Sequence, residues 1–371
     1  MPRVVGIDPG TVSIDLCGLD DGRVFLDHSW PSAEALADPA RFIARLEAAG
    51  PLDLVAGPSG YGLPLMRARD ASEEDLRLAF LAAPGETGGI GGLRVLVRAL
   101  AASALPVVLT PGVVHLPTVP PFRKVNRVDM GTADKVCATA LAIAEHARRF
   151  GRPLTNVSLV LVELGGAFTA AVAVAGGRIV DGVGGTAGPL GFRAAGALDG
   201  EVAYLAGAVS KAMLFQGGAA AVAGWGDTDA SPDRFAHPST PAEEIAVAAF
   251  VESAVKAALA LASSVPSPKE FVLSGRLAHV EPVGHAIRQR LGLFAPTRLL
   301  EGFARTAKEG AQGAALIADG LAGGANRELV ELLGIRDAQG TALDHLYVIP
   351  REQARRRLGG GGGGGGGGDL S

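Results

Sequence analysis

Cysteine is almost missing from this chain. Cys17 and Cys137 are the two among 371 residues. They stand far apart and form no C-x-x-C, which excludes a disulfide framework and a cysteine zinc site and fits a reducing cytoplasm. There is no excess of positive charge either: 34 Lys and Arg stand against 38 Asp and Glu, a net charge of −4. A dedicated nucleic-acid binder would show a basic excess, so nucleic acid is not expected as a partner. No apolar run reaches the roughly 18 residues of a membrane span. The best stretch, Ile245 to Leu261, is interrupted by Glu252, Ser253 and Lys256, and no membrane partner is expected. The first residues lack the apolar segment and cleavage site of a signal peptide. What the chain does have is a 48% hydrophobic fraction and 53 glycines. The first rules out general disorder, and the second suggests a tightly turned α/β protein. At roughly 100–200 residues per domain, the length predicts two domains.

An apolar strand followed by a glycine turn occurs three times: Val4 to Thr11, Ser158 to Gly166 and Phe271 to Arg276. After the first two, a second alternating run follows (Ser13 to Leu19, Thr169 to Val174). Each then has a turn and a third run (Val24 to Leu26, Ile179 to Val180). Strand, turn, strand, turn, strand is a β-meander, and its recurrence implies two related domains. The expected division is 1–150, 151–345 and a terminal segment 346–371, which ends in the glycine tract Gly359 to Gly368. Helical periodicity predicts helices over Glu34–Ala49 after a Ser32 cap, Gly91–Ser103, Thr132–Arg149, Pro241–Ser263 after a Thr240 cap, and Ala307–Leu321. Meanders with crossover helices argue for α/β with two lobes.

The three turns are where chemistry would reside. In Asp8-Pro9-Gly10-Thr11-Val12-Ser13 an acid ends a strand and a tight turn follows. Its N–H groups can point at phosphate oxygens, with Gly10, Thr11 and Ser13 as contacts, and Asp8 can hold Mg²⁺ through water. Glu163-Leu164-Gly165-Gly166 repeats the design. Ser274-Gly275-Arg276 is strand, small residues, then helix, suited to packing against a flat ring. A plain hairpin remains the alternative for the first two, and a common α/β turn for the third.

In this order, the turns and their connecting helices resemble the superfamily of acetate and sugar kinases, heat-shock ATPases and actin. The nearest resemblance is to the acyl kinases described as predicted butyrate kinases, in which Asn stands in place of Asp8. The resemblance implies two duplicated RNase H-like (actin-like ATPase) domains around a nucleotide cleft, with ATP and Mg²⁺ as cofactors. It implies metal contacts at Asp8, Glu163 and Glu309, and nucleotide contacts that include Gly310 at the start of the last connecting helix. In Gly188 to Gly196 it places the catalytic arginine at Arg193. It implies transfer of the ATP γ-phosphate to a small-molecule acceptor such as a short-chain carboxylate; a homodimer is common among similar acyl kinases. Where those kinases carry an acid after the strand matching Val107-Val108-Leu109, this chain has Thr110, and Pro58 stands where they have an arginine.

The densest polar stretch, Phe122 to Lys135, offers a substitute. Arg123, Lys124 and Arg127 are expected to cluster where an anionic acceptor would lie. Asp129 is the candidate acid, and Lys124 and Lys135 read as solvated charges. The loop Gly57 to Pro64 could wall a substrate pocket through Ser59 and Tyr61, and Gly88 to Gly92 could bind an anion. His115 reads as structural and 210–238 as surface loops. The alternative function is an ATPase that acts as a conformational switch or activator, without an acceptor.

Overall fold

Two sequence runs of alternating apolar residues fold as expected into two sheets. The computed structural model describes residues 2–10, 12–83, 93–226, 230–267 and 270–359. The expected phosphate contact at Thr11, the expected anion site at Gly88–Gly92 and most of the glycine tract lie outside them. In the first sheet β1 (Arg3–Pro9), β2 (Ser13–Asp20) and β3 (Arg23–Pro31) form the antiparallel meander. Then β4 (Leu54–Pro58) joins β1 in parallel, β6 (Val107–Thr110) joins β4, and the short β5 (Met66–Arg67) closes the edge. The order is β3-β2-β1-β4-β6-β5. In the second sheet β7 (Leu159–Leu164), β8 (Thr169–Ala175) and β9 (Arg178–Val183) repeat the meander, and β10 (Glu270–Ser274) and β11 (Thr297–Leu299) add the parallel strands. The order β11-β10-β7-β8-β9 has the same scheme in shorter form.

Two helices cross between the sheets. The first runs Ala133–Phe150 and the second Glu309–Leu321. Both are rich in small residues, so their backbones approach closely. The second lies on β1, where a Cβ at Gly6 would meet the Ala311 carbonyl oxygen and the Ala315 nitrogen at 2.2 Å each. One hydrophobic core joins both helices with residues of each sheet, from Val4 and Ala56 to Leu161 and Val272. Each sheet also has a core of its own on its far face.

Three expectations change. Glu34–Ala49 is not one helix: Ser32–Ala37 ends before Pro39–Glu47, because Pro39 cannot continue the ladder. Ser32 donates its hydroxyl to the Gly10 carbonyl (2.7 Å) instead of capping. The 210–238 stretch is partly core: Phe235 is fully buried, and the Trp225 indole packs on Phe192 and Phe235 while donating to Glu243. The helix Pro241–Ala262 is, by length and mean hydropathy (1.9), apolar enough to cross a membrane. It lies against the second sheet, burying Phe250, Ala254 and Ala258.

Candidate functional site

Each meander makes its first turn the same way. Gly10 N–H donates to the Ser13 carbonyl (2.9 Å) and Gly165 N–H to the Phe168 carbonyl (3.0 Å). A Cβ would meet those same oxygens at 2.8 and 2.7 Å, so both positions exclude a side chain. The matching strand-end acids are Asp8 and Glu163, and Glu163 contributes to the field at Asp8. The two strand ends therefore lie near one another. Around Gly166 an added Cβ would meet nothing within 4 Å, so this turn borders open space.

The acids gather around the starts of the crossing helices. Gly310 lies against the Asp8 carboxylate, where a Cβ would be 2.6 Å from Oδ2. Among the described residues nothing donates a hydrogen bond to that carboxylate. Burial, and next the charge of Asp134, push the Asp8 pKa up to about 8. Burial also raises Glu163, against the opposing charge of Lys135. Lys135 Nζ donates to Asp134 (2.5 Å) and to Glu163 Oε1 (2.7 Å), tying the first crossing helix to the second sheet. Burial disfavours that ammonium, but the two carboxylates outweigh it and hold its pKa above the ordinary lysine range. Lys308 Nζ reaches Ser13 Oγ (2.5 Å) and Asp15 Oδ2 (3.1 Å), while Asp15 Oδ1 is buried without a partner.

The sign of the Asp8 shift gives a prediction. A carboxyl with a raised folded pKa holds a proton that the unfolded chain has lost, so its contribution to stability falls as pH rises from about 4 to about 8. Asp8→Asn is expected to raise the melting temperature at pH 8 by at least about 2 °C, with the gain vanishing near pH 4. A lowered melting temperature at pH 8 would contradict it.

The remaining sequence candidates lie as follows. Glu309 begins the second crossing helix and contributes to the field at Glu163, but Asp8, Glu163 and Glu309 do not converge. No group of three metal-ligating side chains occurs among the described residues. Ser274 pairs with Glu163 across β10 and β7, and its hydroxyl is buried without a partner. Gly275 (φ +82°) packs on Leu164, where a Cβ would meet the carbonyl oxygen at 2.6 Å. It leads into a short 3₁₀ turn, Arg276–His279, rather than a full helix. Arg276 pairs with Asp233 (2.6 Å). The Arg193 backbone binds the second turn (N–H to the Ala167 carbonyl, 3.0 Å), and its guanidinium donates to the Ala230 carbonyl (3.1 Å).

Asp129 is buried and fully engaged. Oδ1 accepts from Gly131 N–H (3.2 Å), and Oδ2 accepts from the Thr186 N–H (2.9 Å) and hydroxyl (2.8 Å). Gly184 lies so close that a Cβ would collide with the carboxylate. The expected basic cluster does not form. Arg123 donates to the Val180 carbonyl (2.8 Å), buried Lys124 donates to the Leu116 carbonyl (2.9 Å), and Arg127 is exposed, with no side-chain partner among the described residues. Buried carbonyls claim the first two cations. Ser59 donates to the Thr110 carbonyl (2.8 Å), and Tyr61, nearly buried, lies 4.7 Å below the Lys211 ammonium. His115 is buried, and desolvation lowers its pKa to about 4, which fits a structural role.

This duplicated arrangement is the fold of the acetate and propionate kinases. A propionate kinase from Francisella tularensis superposes with a TM-score of 0.61 at 12% identity, covering 85% of this chain and 98% of that one. An acetate kinase from Porphyromonas gingivalis superposes at 0.56 and 13% identity, covering 79% and 88%. Residues 6–348 match the family described as "Protein of unknown function (DUF1464)". The chain belongs to that family. No curated protein matches it by sequence.

Proposed function

We propose that this chain is a phosphotransferase that binds ATP with Mg²⁺ between its twin turns and passes the γ-phosphate to a small carboxylate. The observation that carries the reading is the duplicated turn. Gly10 and Gly165 make the same bond in each half, and the acids beside them share one field. A divalent cation suits this corner: Asp8 stands among acids with no hydrogen-bond donor among the described residues, and burial, with the charge of Asp134 next, raises its pKa against the opposing charges of Lys308 and Lys135. Asp8 and Glu309 would hold the ion through water, and Glu163, already paired with Lys135, would stand behind them. Bound there, Mg²⁺ supplies charge neutralisation at the β- and γ-phosphates.

The chain's own residues would do the rest. The turn N–H groups and Lys308 would bind phosphate oxygens, and Ser274 and Gly275 would border the base. Arg193 would stabilise the moving phosphoryl group after leaving the Ala230 carbonyl. The acceptor class follows from what is missing. Thr110 ends β6 where an acid would be needed, its hydroxyl donating to the Gly57 carbonyl (3.3 Å), and both Asp129 oxygens are occupied. An alcohol acceptor needs a base; an ionised carboxylate does not. In this reading Asp129 positions the 184–186 loop, and the lobes divide at 1–150 and 151–345. The resemblance to butyrate kinases points to a short-chain carboxylate as acceptor, and a cytoplasmic homodimer agrees with it.

Isothermal titration tests the first half. Mg·ATP should bind to the wild type and fail to bind to Gly166→Arg, whose side chain enters the open space of the second turn. Absence of heat for folded wild type at millimolar ATP overturns the reading. A hydroxamate assay across short-chain carboxylates, run beside phosphate release without acceptor, tests the second half. Hydrolysis indifferent to any acceptor would support a conformational ATPase instead.

A further inference from the structure

The segment from Glu301 to Ala307 carries the chain from the second sheet to the second crossing helix. Its seven consecutive backbone N–H groups all go to side chains. Glu145 accepts from Glu301 (3.2 Å) and Gly302 (2.7 Å). Gln312 accepts from Phe303 (2.7 Å) and Ala304 (3.1 Å), and returns a bond to the Ala307 carbonyl (2.7 Å). Asp27 accepts from Arg305 (2.8 Å), Thr306 (3.1 Å) and Ala307 (2.7 Å). These three acceptors stand on the first crossing helix, the second crossing helix and β3. The loop has no strand or helix ladder of its own, so these side chains satisfy its N–H groups, while Phe303, Ala304 and Ala307 pack on the shared core.

Lys308 and Glu309 come next. Lys308 reaches Ser13 and Asp15, Glu309 opens the crossing helix, and Gly310 lies on Asp8. We propose that Asp27 is a positioning residue for the phosphate corner: by gripping the N–H groups of 305–307 it sets where Lys308 and Glu309 stand. Asp27 itself touches neither Asp8 nor the turn glycines by any hydrogen bond; it acts through the loop. The proposal rests on the nucleotide reading above and adds a residue to it. The amides hold the Asp27 carboxyl below its usual range, against the cost of burial, as expected for a carboxylate gripped by N–H donors.

The test uses the full chain with Asp27→Asn, which keeps the volume, and Asp27→Glu, which keeps the charge. Without ligand, hydrogen exchange at 305–307 should be at least about tenfold faster in Asp27→Asn. Mg·ATP affinity should fall about 10–100-fold, the range for residues that orient a metal's ligands. AMP affinity should stay within about twofold, because the base site lies elsewhere, and Asp27→Glu should recover part of the loss. Unchanged Mg·ATP affinity in Asp27→Asn, with wild type binding normally, overturns the positioning role and leaves the nucleotide reading intact. Equal losses for AMP and Mg·ATP overturn it too, as general loosening. A wild type that binds neither nucleotide ends both.

Discussion

Gly313→Ala should cost this protein much of its stability, and Gly313→Val should leave little folded chain. The two crossing helices meet at this glycine: a Cβ there would stand 1.7 Å from the carbonyl oxygen of Cys137. That oxygen belongs to helix backbone and cannot rotate aside. Nor can the Glu309–Leu321 helix back away, because its opposite face already touches β1 at Gly6. Overpacking that side chains can absorb costs about 1–3 kcal/mol; here backbone blocks both directions and the cost should exceed that range. Gly200→Ala is the contrast. It opens the exposed helix Gly200–Ala206, and its Cβ would meet nothing within 4 Å. That change should stay within about 0.5 kcal/mol. Urea unfolding of the two variants decides the matter. A Gly313→Ala protein as stable as Gly200→Ala would mean that the helices do not bear on one another there.

What was legible in the sequence follows from how local each signal is. The meanders could be read because strand alternation and glycine turns are short-range features. Asp8 and Glu163 could be read because each ends its own strand. Lys135 reads as a solvated charge, since a lysine in a first helical turn looks like surface; its partner Glu163 is 28 residues away. Asp27 gave no signal at all: it is one acid in an edge strand, and the amides it grips lie 278–280 residues further on. Arg193 is implied by resemblance and Arg276 by its strand-end turn, and their partners, Ala230 and Asp233, sit in a stretch that reads as surface loop. The one inward signal there was aromatic: Trp225 and Phe235 pack against Phe192.

Lys135→Met should destabilise the protein by about 3 kcal/mol, the low end for removing one partner of a buried pair. The low end applies because the ammonium and its two carboxylates keep 13–25% exposure. Methionine fills the volume but leaves Asp8, Asp134 and Glu163 facing one another, with Lys308 as the remaining cation in the Asp8 field. The acids can relieve that repulsion by taking up protons, and this fixes the sign of the pH dependence. Folded pKa values above the unfolded carboxylate value of about 4 mean that the folded state binds more protons, so stability declines as pH rises through that window. The deficit against wild type should therefore be smallest near pH 5 and largest near pH 8. Removing one acid should restore part of it: Asp8→Asn combined with Lys135→Met should be more stable at pH 8 than Lys135→Met alone. The gain should exceed that of Asp8→Asn in the wild type, because residues sharing one field do not add independently. A deficit that is flat with pH, or indifferent to Asp8→Asn, would show that Lys135 does not neutralise this corner.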